Sequence, residues 1–135
     1  MESPPISTVP GPWVLKGTVY MFFMYHTSKD VLKLEKSFLY SPLEAESAFA
    51  EGTLLGGLSG VMIIRYTDSP VGAYDELIMI PGKYEYQRPT KGKNGESISV
   101  TRQNIRIPRI YVSTAESCFN GRKSKPYTYL SMQIV

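Results

Sequence analysis

Residues 61–80 read Val61-Met62-Ile63-Ile64-Arg65-Tyr66-Thr67-Asp68-Ser69-Pro70-Val71-Gly72-Ala73-Tyr74-Asp75-Glu76-Leu77-Ile78-Met79-Ile80. Two β-prone runs, Val61 to Tyr66 and Leu77 to Ile80, flank Asp68-Ser69-Pro70-Val71-Gly72, where proline and glycine favour a turn. The pattern predicts a β-hairpin, with Tyr84-Glu85-Tyr86 extending its second arm. Adjacent strand residues point to opposite faces, so Asp75 and Glu76 cannot form a carboxylate pair, and one of them should turn inward.

Working towards the amino terminus, Gly56-Gly57-Leu58-Ser59-Gly60 lacks the lysine of a phosphate-binding loop and reads as a tight turn. Ser41-Pro42-Leu43-Glu44 carries a capping residue, a proline suited to the first turn and a glutamate that can reach back. A short helix is expected from there to Gly52, whose missing Cβ suits the left-handed conformation past a helix end. Thr18 to His26, TVYMFFMYH, is apolar at alternate positions of both registers and predicts a strand buried on two sides. Residues 1–12 hold four prolines and are expected to form an extended arm.

Towards the carboxyl terminus, Lys91-Gly92-Lys93-Asn94-Gly95 contains an Asn-Gly turn signal, and another strand should follow it. From Ile98 to Ser113 the alternation changes register near Pro108, which a bulge would explain. Thr114 is placed to cap a short turn through Ala115 and Glu116, and the tail to Val135 shows no strong pattern. The whole predicts an α+β fold, mainly antiparallel β-sheet with one short early helix, in a single domain over residues 1–135.

Composition bounds the chemistry. The chain has 135 residues, 42% hydrophobic, with one cysteine and one histidine. Cys118 has no intrachain disulfide partner, and His26 cannot build a multi-histidine metal cage. No metal or cofactor is expected. The seven-residue apolar run Val19 to Tyr25 is too short to cross a bilayer, which takes roughly 20 residues. The start, Met1-Glu2-Ser3-Pro4-Pro5, lacks signal-peptide character, so the expectation is a soluble cytoplasmic protein without a membrane partner. Charge is uneven: residues 1–80 hold 5 basic and 9 acidic side chains, and residues 81–135 hold 10 and 3. A basic half can mark a nucleic-acid surface, but solvated strand faces and loops account for it more simply, and no nucleic-acid partner is expected.

Several residues have a functional and a plain reading. His26 ends an apolar strand, and no Gly-x-Ser-x-Gly elbow supports a hydrolase role. Arg65 and Arg109 are strand arginines that would either sit at the rim or meet an anionic ligand. Glu76, if it is the inward carboxylate, is a candidate acid, base or electrostatic partner.

Pro10-Gly11-Pro12-Trp13, then Tyr66-Thr67-Asp68-Ser69-Pro70-Val71-Gly72-Ala73-Tyr74-Asp75-Glu76, then Asn120-Gly121-Arg122 resemble the acetoacetate decarboxylase-like superfamily, particularly its fungal members. The resemblance runs from about residue 10 to residue 122. It implies a partial β cone or barrel, of which this chain would be a shortened first half with a divergent tail over 123–135, open to self-association at its unpaired edges. It also implies an apolar pocket with Glu76 as its catalytic carboxylate and Arg65, Tyr74 and Arg122 around it.

In active members of that family a lysine following a proline forms a Schiff base with a β-keto acid. The neutral amine this requires is obtained by desolvation or a neighbouring cation, for which acetoacetate decarboxylase is the standard example. Counting on from Gly121-Arg122 places that Pro-Lys pair at Thr128 and Tyr129, so the lysine is missing. A pocket glutamate of the family corresponds to Val61 and a basic residue to Thr18. Lys123 and Lys125 remain as weak substitutes. The expectation is a domain of carboxy-lyase ancestry without decarboxylase activity, or a non-catalytic protein that binds a small keto acid or apolar ligand.

Overall fold

The computed structural model describes residues 5–35, 39–40, 45–46, 50–123 and 131–134. Its strands are β1 (Lys16–His26), β2 (Thr53–Asp68), β3 (Tyr74–Ile80), β4 (Lys83–Lys91), β5 (Ser97–Ile105), β6 (Arg109–Val112) and β7 (Ser131–Ile134). Among the described residues they are accompanied by two short helices, α1 (Ser28–Val31) and α2 (Ala115–Lys123). Pairing is antiparallel for β2–β4, β3–β6 and β4–β5, and parallel at β6–β7. The fold is therefore α+β and mainly antiparallel sheet. The chain groups into two compact units, one of residues 1–22, 61–79 and 107–135, the other of residues 23–60 and 80–106.

In the first unit the end of β2 turns into β3 through the predicted connector. The Gly72 N–H donates to Ser69 O at 3.0 Å, and the Val71 N–H donates to Ser69 Oγ at 3.2 Å. Gly72 adopts φ +88°, a conformation open to glycine at little cost. β3 then pairs with β6, Glu76 opposite Val112 and Met79 opposite Arg109.

Helix α2 is longer than the short turn expected after Thr114. Thr114 does cap it, its Oγ1 accepting the Ser117 N–H at 3.2 Å, and Arg122 and Lys123 in the last turn complement the helix dipole. Its buried face consists of Ser117, Cys118 and Asn120, so no apolar periodicity announces it. The Asn120 side chain, 0% exposed, accepts the Val9 N–H at 2.7 Å and donates to Ser7 O and Glu116 O, each at 3.0 Å. One amide thus pins the proline-rich arm to α2. The indole N–H of Trp13 closes the arm on itself by donating to Val9 O at 3.1 Å.

In the second unit β4 and β5 form a hairpin in register from Lys83–Ile105 to Lys91–Ser97. The Asn94-Gly95 signal lies at its turn, where Gly95 has φ +83° and donates to Gly92 O at 3.0 Å. The core is Tyr40, Ala50 and Tyr84, with Leu39, Ala45 and Leu54 packed around it. Tyr84 is 1% exposed, meets Tyr40 edge-on at 6.2 Å, and carries the Arg106 guanidinium 5.1 Å from its ring centre. A capping box starts α1: the Thr27 N–H donates to Asp30 Oδ2 at 2.8 Å, while the Asp30 N–H donates back to Thr27 Oγ1 at 3.4 Å.

Several expectations are corrected. Tyr84-Glu85-Tyr86 belongs to a new strand, because Pro81 and Gly82, the latter at φ +135°, break the second hairpin arm. Gly56-Gly57 is no turn but a bulge inside the sixteen-residue β2, with φ values of +79° and +89° and a register shift between Leu54 and Gly56. The change of alternation near buried Pro108 separates two strands, β5 and β6. The tail contains β7. β1, expected to be buried on two sides, has nearly every residue exposed. The helix expected from Ser41 lies largely outside the described residues, although Gly52 does take φ +103°. Among the described residues no helix is long and apolar enough to cross a membrane.

Candidate functional site

The candidate site is built by the alternation of the β2–β3 hairpin. Arg65 meets Asp75 across it and Tyr66 meets Tyr74, so Tyr66, Tyr74 and Glu76 share one face while Arg65 and Asp75 share the other. Asp75 is exposed and Glu76 is 8% exposed, which identifies Glu76 as the inward carboxylate. The Tyr66 and Tyr74 rings lie 4.7 Å apart at 39°. The Tyr66 hydroxyl donates a hydrogen bond to the Glu76 carboxylate.

This environment favours the neutral phenols. Burial first, and then the nearby Glu76 charge, push the Tyr66 hydroxyl up to about 12 and that of Tyr74 further still. A phenol whose folded value exceeds its unfolded value near 10 keeps its proton longer in the folded chain. Its contribution to stability is complete below pH 10 and is lost as pH rises from 10 towards 12. Alkaline denaturation followed by circular dichroism is expected to show that decline, and Tyr66→Phe is expected to flatten it.

On the opposite face Arg65 Nε donates to Asp75 Oδ1 at 3.0 Å and Nη2 to Oδ2 at 3.4 Å. The pair is exposed, and its hydrogen bonds hold the Asp75 carboxyl below its ordinary value and raise that of Arg65. Arg65 therefore points away from Glu76. Arg109 donates from Nη1 to the Tyr111 hydroxyl at 2.9 Å. Arg122 and Lys123 are exposed at the end of α2, the Lys123 ammonium 4.5 Å from the Phe119 ring centre and 3.5 Å from Thr8 Oγ1. Lys125, with Thr128 and Tyr129, lies outside the described residues. Cys118 is buried in α2 and forms no disulfide. Among the described residues no group of three potential metal ligands occurs.

The structure thus brings Glu76 and Tyr74 together and adds Tyr66, which motif reading placed in the resemblance but gave no role. The hairpin signal pointed to its neighbourhood, but the register came from the structure: once Arg65 opposes Asp75, Tyr66 must oppose Tyr74.

Among the described residues the second unit carries clefts of its own. One of about 180 Å³ is mainly apolar, lined by Val31, Leu39, Leu54 and the Tyr40–Tyr84 pair. Another, about 410 Å³, is lined by His26, Gly56, Lys83 and Gln103 among others. His26 is accordingly a cleft residue at the end of β1.

No family model matches the chain, and no solved structure matches it significantly. Among curated proteins it is similar to Protein NEOXANTHIN-DEFICIENT 1 of Solanum lycopersicum, 30% identical over 112 residues that make up 83% of this chain and 30% of the relative. The protein of the same name from Oryza sativa subsp. japonica is also 30% identical over 112 residues, again 30% of its length. That from Arabidopsis thaliana is 29% identical, with 32% of its length covered. The chain spans about a third of the length of these relatives. They are plant proteins, and their names carry neither a lyase activity nor a fungal origin; the similarity is weak and consistent with a distant relationship.

Proposed function

We propose that the chain is part of an acetoacetate decarboxylase-like domain that has kept the family's buried carboxylate, lacks its Schiff-base lysine, and binds a small ligand without turning it over. The observation that carries this reading is Glu76, enclosed with Tyr66 and Tyr74, while Lys16 and Lys123, the described lysines of the same unit, are both exposed. Schiff-base decarboxylation needs an amine enclosed with the substrate, and an exposed ammonium beside Thr8 does not supply one.

The same geometry favours one class of ligand. A buried carboxylate repels a keto-acid anion but accepts a charge-assisted hydrogen bond from a hydroxyl, and tyrosine rings supply apolar contact. An apolar, hydroxyl-bearing molecule therefore fits better than acetoacetate. The name of the plant relatives refers to neoxanthin, an oxygenated isoprenoid, and the reading is in keeping with it.

Two measurements on the full chain test the proposal. Incubation with acetoacetate and sodium borohydride is expected to leave the intact mass unchanged and to release no carbon dioxide. A reduced adduct on Lys123 or Lys125, with gas release abolished when that lysine is replaced, would overturn it. Titration with 3-hydroxy-β-ionone, followed by tyrosine fluorescence, is expected to saturate. Glu76→Gln should weaken binding roughly fivefold, since a neutral hydrogen bond replaces a charge-assisted one worth about 1 kcal/mol more. Absence of saturable binding by the unaltered chain counts against the ligand-binding part alone.

A further inference from the structure

The hairpin of β4 and β5 lies wholly within the second unit, and its outer part is exposed on both faces. From Gln87 to Lys91 and from Ser97 to Asn104 every residue but Val100 is exposed. A bare two-stranded ribbon is marginally stable in water, so side chains on it that do not hold it together call for another role.

Residues directly opposite one another share a face, and alternation along each strand sorts the ribbon into two faces. One carries Glu85, Gln87, Ser99, Thr101 and Gln103, which satisfy one another. Gln103 Nε2 donates to Glu85 Oε2 at 2.8 Å, Gln87 Nε2 donates to Thr101 Oγ1 at 2.9 Å, and Ser99 Oγ donates to Gln87 Oε1 at 3.1 Å. The other face continues from the core residue Tyr84 through Tyr86, Arg88, Ile98, Val100 and Arg102. Neither strand places an acidic residue on it. Arg88 stands opposite Val100 and Arg102 opposite Tyr86; both arginines are exposed, and among the described residues neither forms an ion pair. Over residues 83–106 six basic side chains stand against two acidic ones. Of those two, Glu85 is on the opposite face and Glu96 is at the turn, where it accepts the Asn94 N–H at 3.0 Å.

The make-up of the basic face decides between anionic partners. Single-stranded nucleic acid is held by stacking its bases on open aromatic rings. Here the ring outside the core is Tyr86, and the Arg106 guanidinium already lies 4.5 Å from its centre while its hydroxyl accepts from Asn104 Nδ2 at 2.7 Å. What stays open is aliphatic: Ile98, 43% exposed, two residues along the same face from Val100. Arginines interspersed with aliphatic side chains match the headgroup zone of an anionic bilayer, where the cations meet lipid phosphates and carboxylates and the aliphatic groups enter the acyl boundary.

We propose that this face of the β4–β5 hairpin docks the chain on an anionic phospholipid surface. A surface contact needs no spanning segment, so the shortness of the chain's apolar runs does not oppose it. Each basic residue close to such a surface raises partitioning about fivefold, and the effect fades within roughly 10 Å at 0.1 M salt. The contact uses no residue of the Glu76 site and is independent of it.

Co-sedimentation of the full chain with vesicles of phosphatidylcholine and phosphatidylserine, in about 0.1 M salt, tests this. Saturable binding is expected, and it should disappear when phosphatidylserine is left out. Arg88→Gln together with Arg102→Gln should weaken it about 25-fold with an unchanged dichroism spectrum, whereas Lys83→Gln, on the opposite face, should change it less than about twofold. If the double variant fails to fold, a polarity-sensitive dye decides. Attached at Ile98→Cys it should brighten on vesicles, and at the neighbouring Ser97→Cys, on the opposite face, it should not; Cys118 is buried, so the dye goes to the added thiol. Equal binding without phosphatidylserine, equal losses from the two faces or equal dye responses would overturn the proposal. So would a chain that binds no vesicles, whether or not it binds a single-stranded oligonucleotide.

Discussion

Asn120→Ala is expected to lower the free energy of unfolding by about 3 kcal/mol, from three lost hydrogen bonds at roughly 1 kcal/mol each. The acceptor and both donor contacts of the Asn120 amide lie in a side chain with 0% exposure, and two of the three hold the backbone of Ser7 and Val9. Alanine leaves the Val9 N–H and Ser7 C=O without these partners, and the arm regains them only by detaching into water. Urea denaturation measures the loss, and limited proteolysis near Trp13 should accelerate in parallel. A change below 1 kcal/mol with unaltered proteolysis would show that the arm is held by something other than this amide.

Gly56→Ala is expected to cost a similar amount, about 3 kcal/mol, for a different reason. Gly56 has φ +79°, and a Cβ there would stand 2.6 Å from His26 O and 3.2 Å from Thr27 O. The left-handed conformation costs a non-glycine residue roughly 1–2 kcal/mol, and forcing atoms into a filled space adds roughly 1–3. Gly57 provides the control. It has φ +89° but nothing within 4 Å of the added atom, so Gly57→Ala should show the conformational cost alone, about 1 kcal/mol. Equal effects from the two substitutions would mean that the approach of the β1–α1 connection to the bulge contributes nothing.

Both predictions concern positions whose importance the linear pattern concealed. Asn120 was visible only as part of the Asn120-Gly121-Arg122 motif, and a buried amide gives no signal in hydrophobic periodicity. Gly56-Gly57 was legible as a place of unusual backbone, but a turn and a bulge ask for the same residue, and only the partner strand distinguishes them. The hairpins were legible because their turns are made locally, by Ser69 with Gly72 and by Gly92 with Gly95. The orientation of Glu76 was legible in part. Alternation required that Asp75 and Glu76 diverge, but it could not say which one is inward.

For β1 the reading failed for an instructive reason. A strand with apolar residues on both faces carries the same sequence whether layers cover it or not. The number of layers against it is a property of the folded structure. Arg65 is similar: one parity step from Tyr66, it was free to face either a ligand or the solvent until its ion pair with Asp75 was located.

Local chemistry along the chain was enough to establish the turns at Ser69–Gly72 and Gly92–Gly95 and the mainly antiparallel class. Tertiary contacts alone selected Glu76 over Asp75, joined Tyr66 to it, buried Asn120 and left β1 uncovered. The division follows from range. Backbone preference and side-chain alternation act between near neighbours in the chain, whereas burial depends on segments as far apart as Ser7 and Asn120, which meet only in the folded structure.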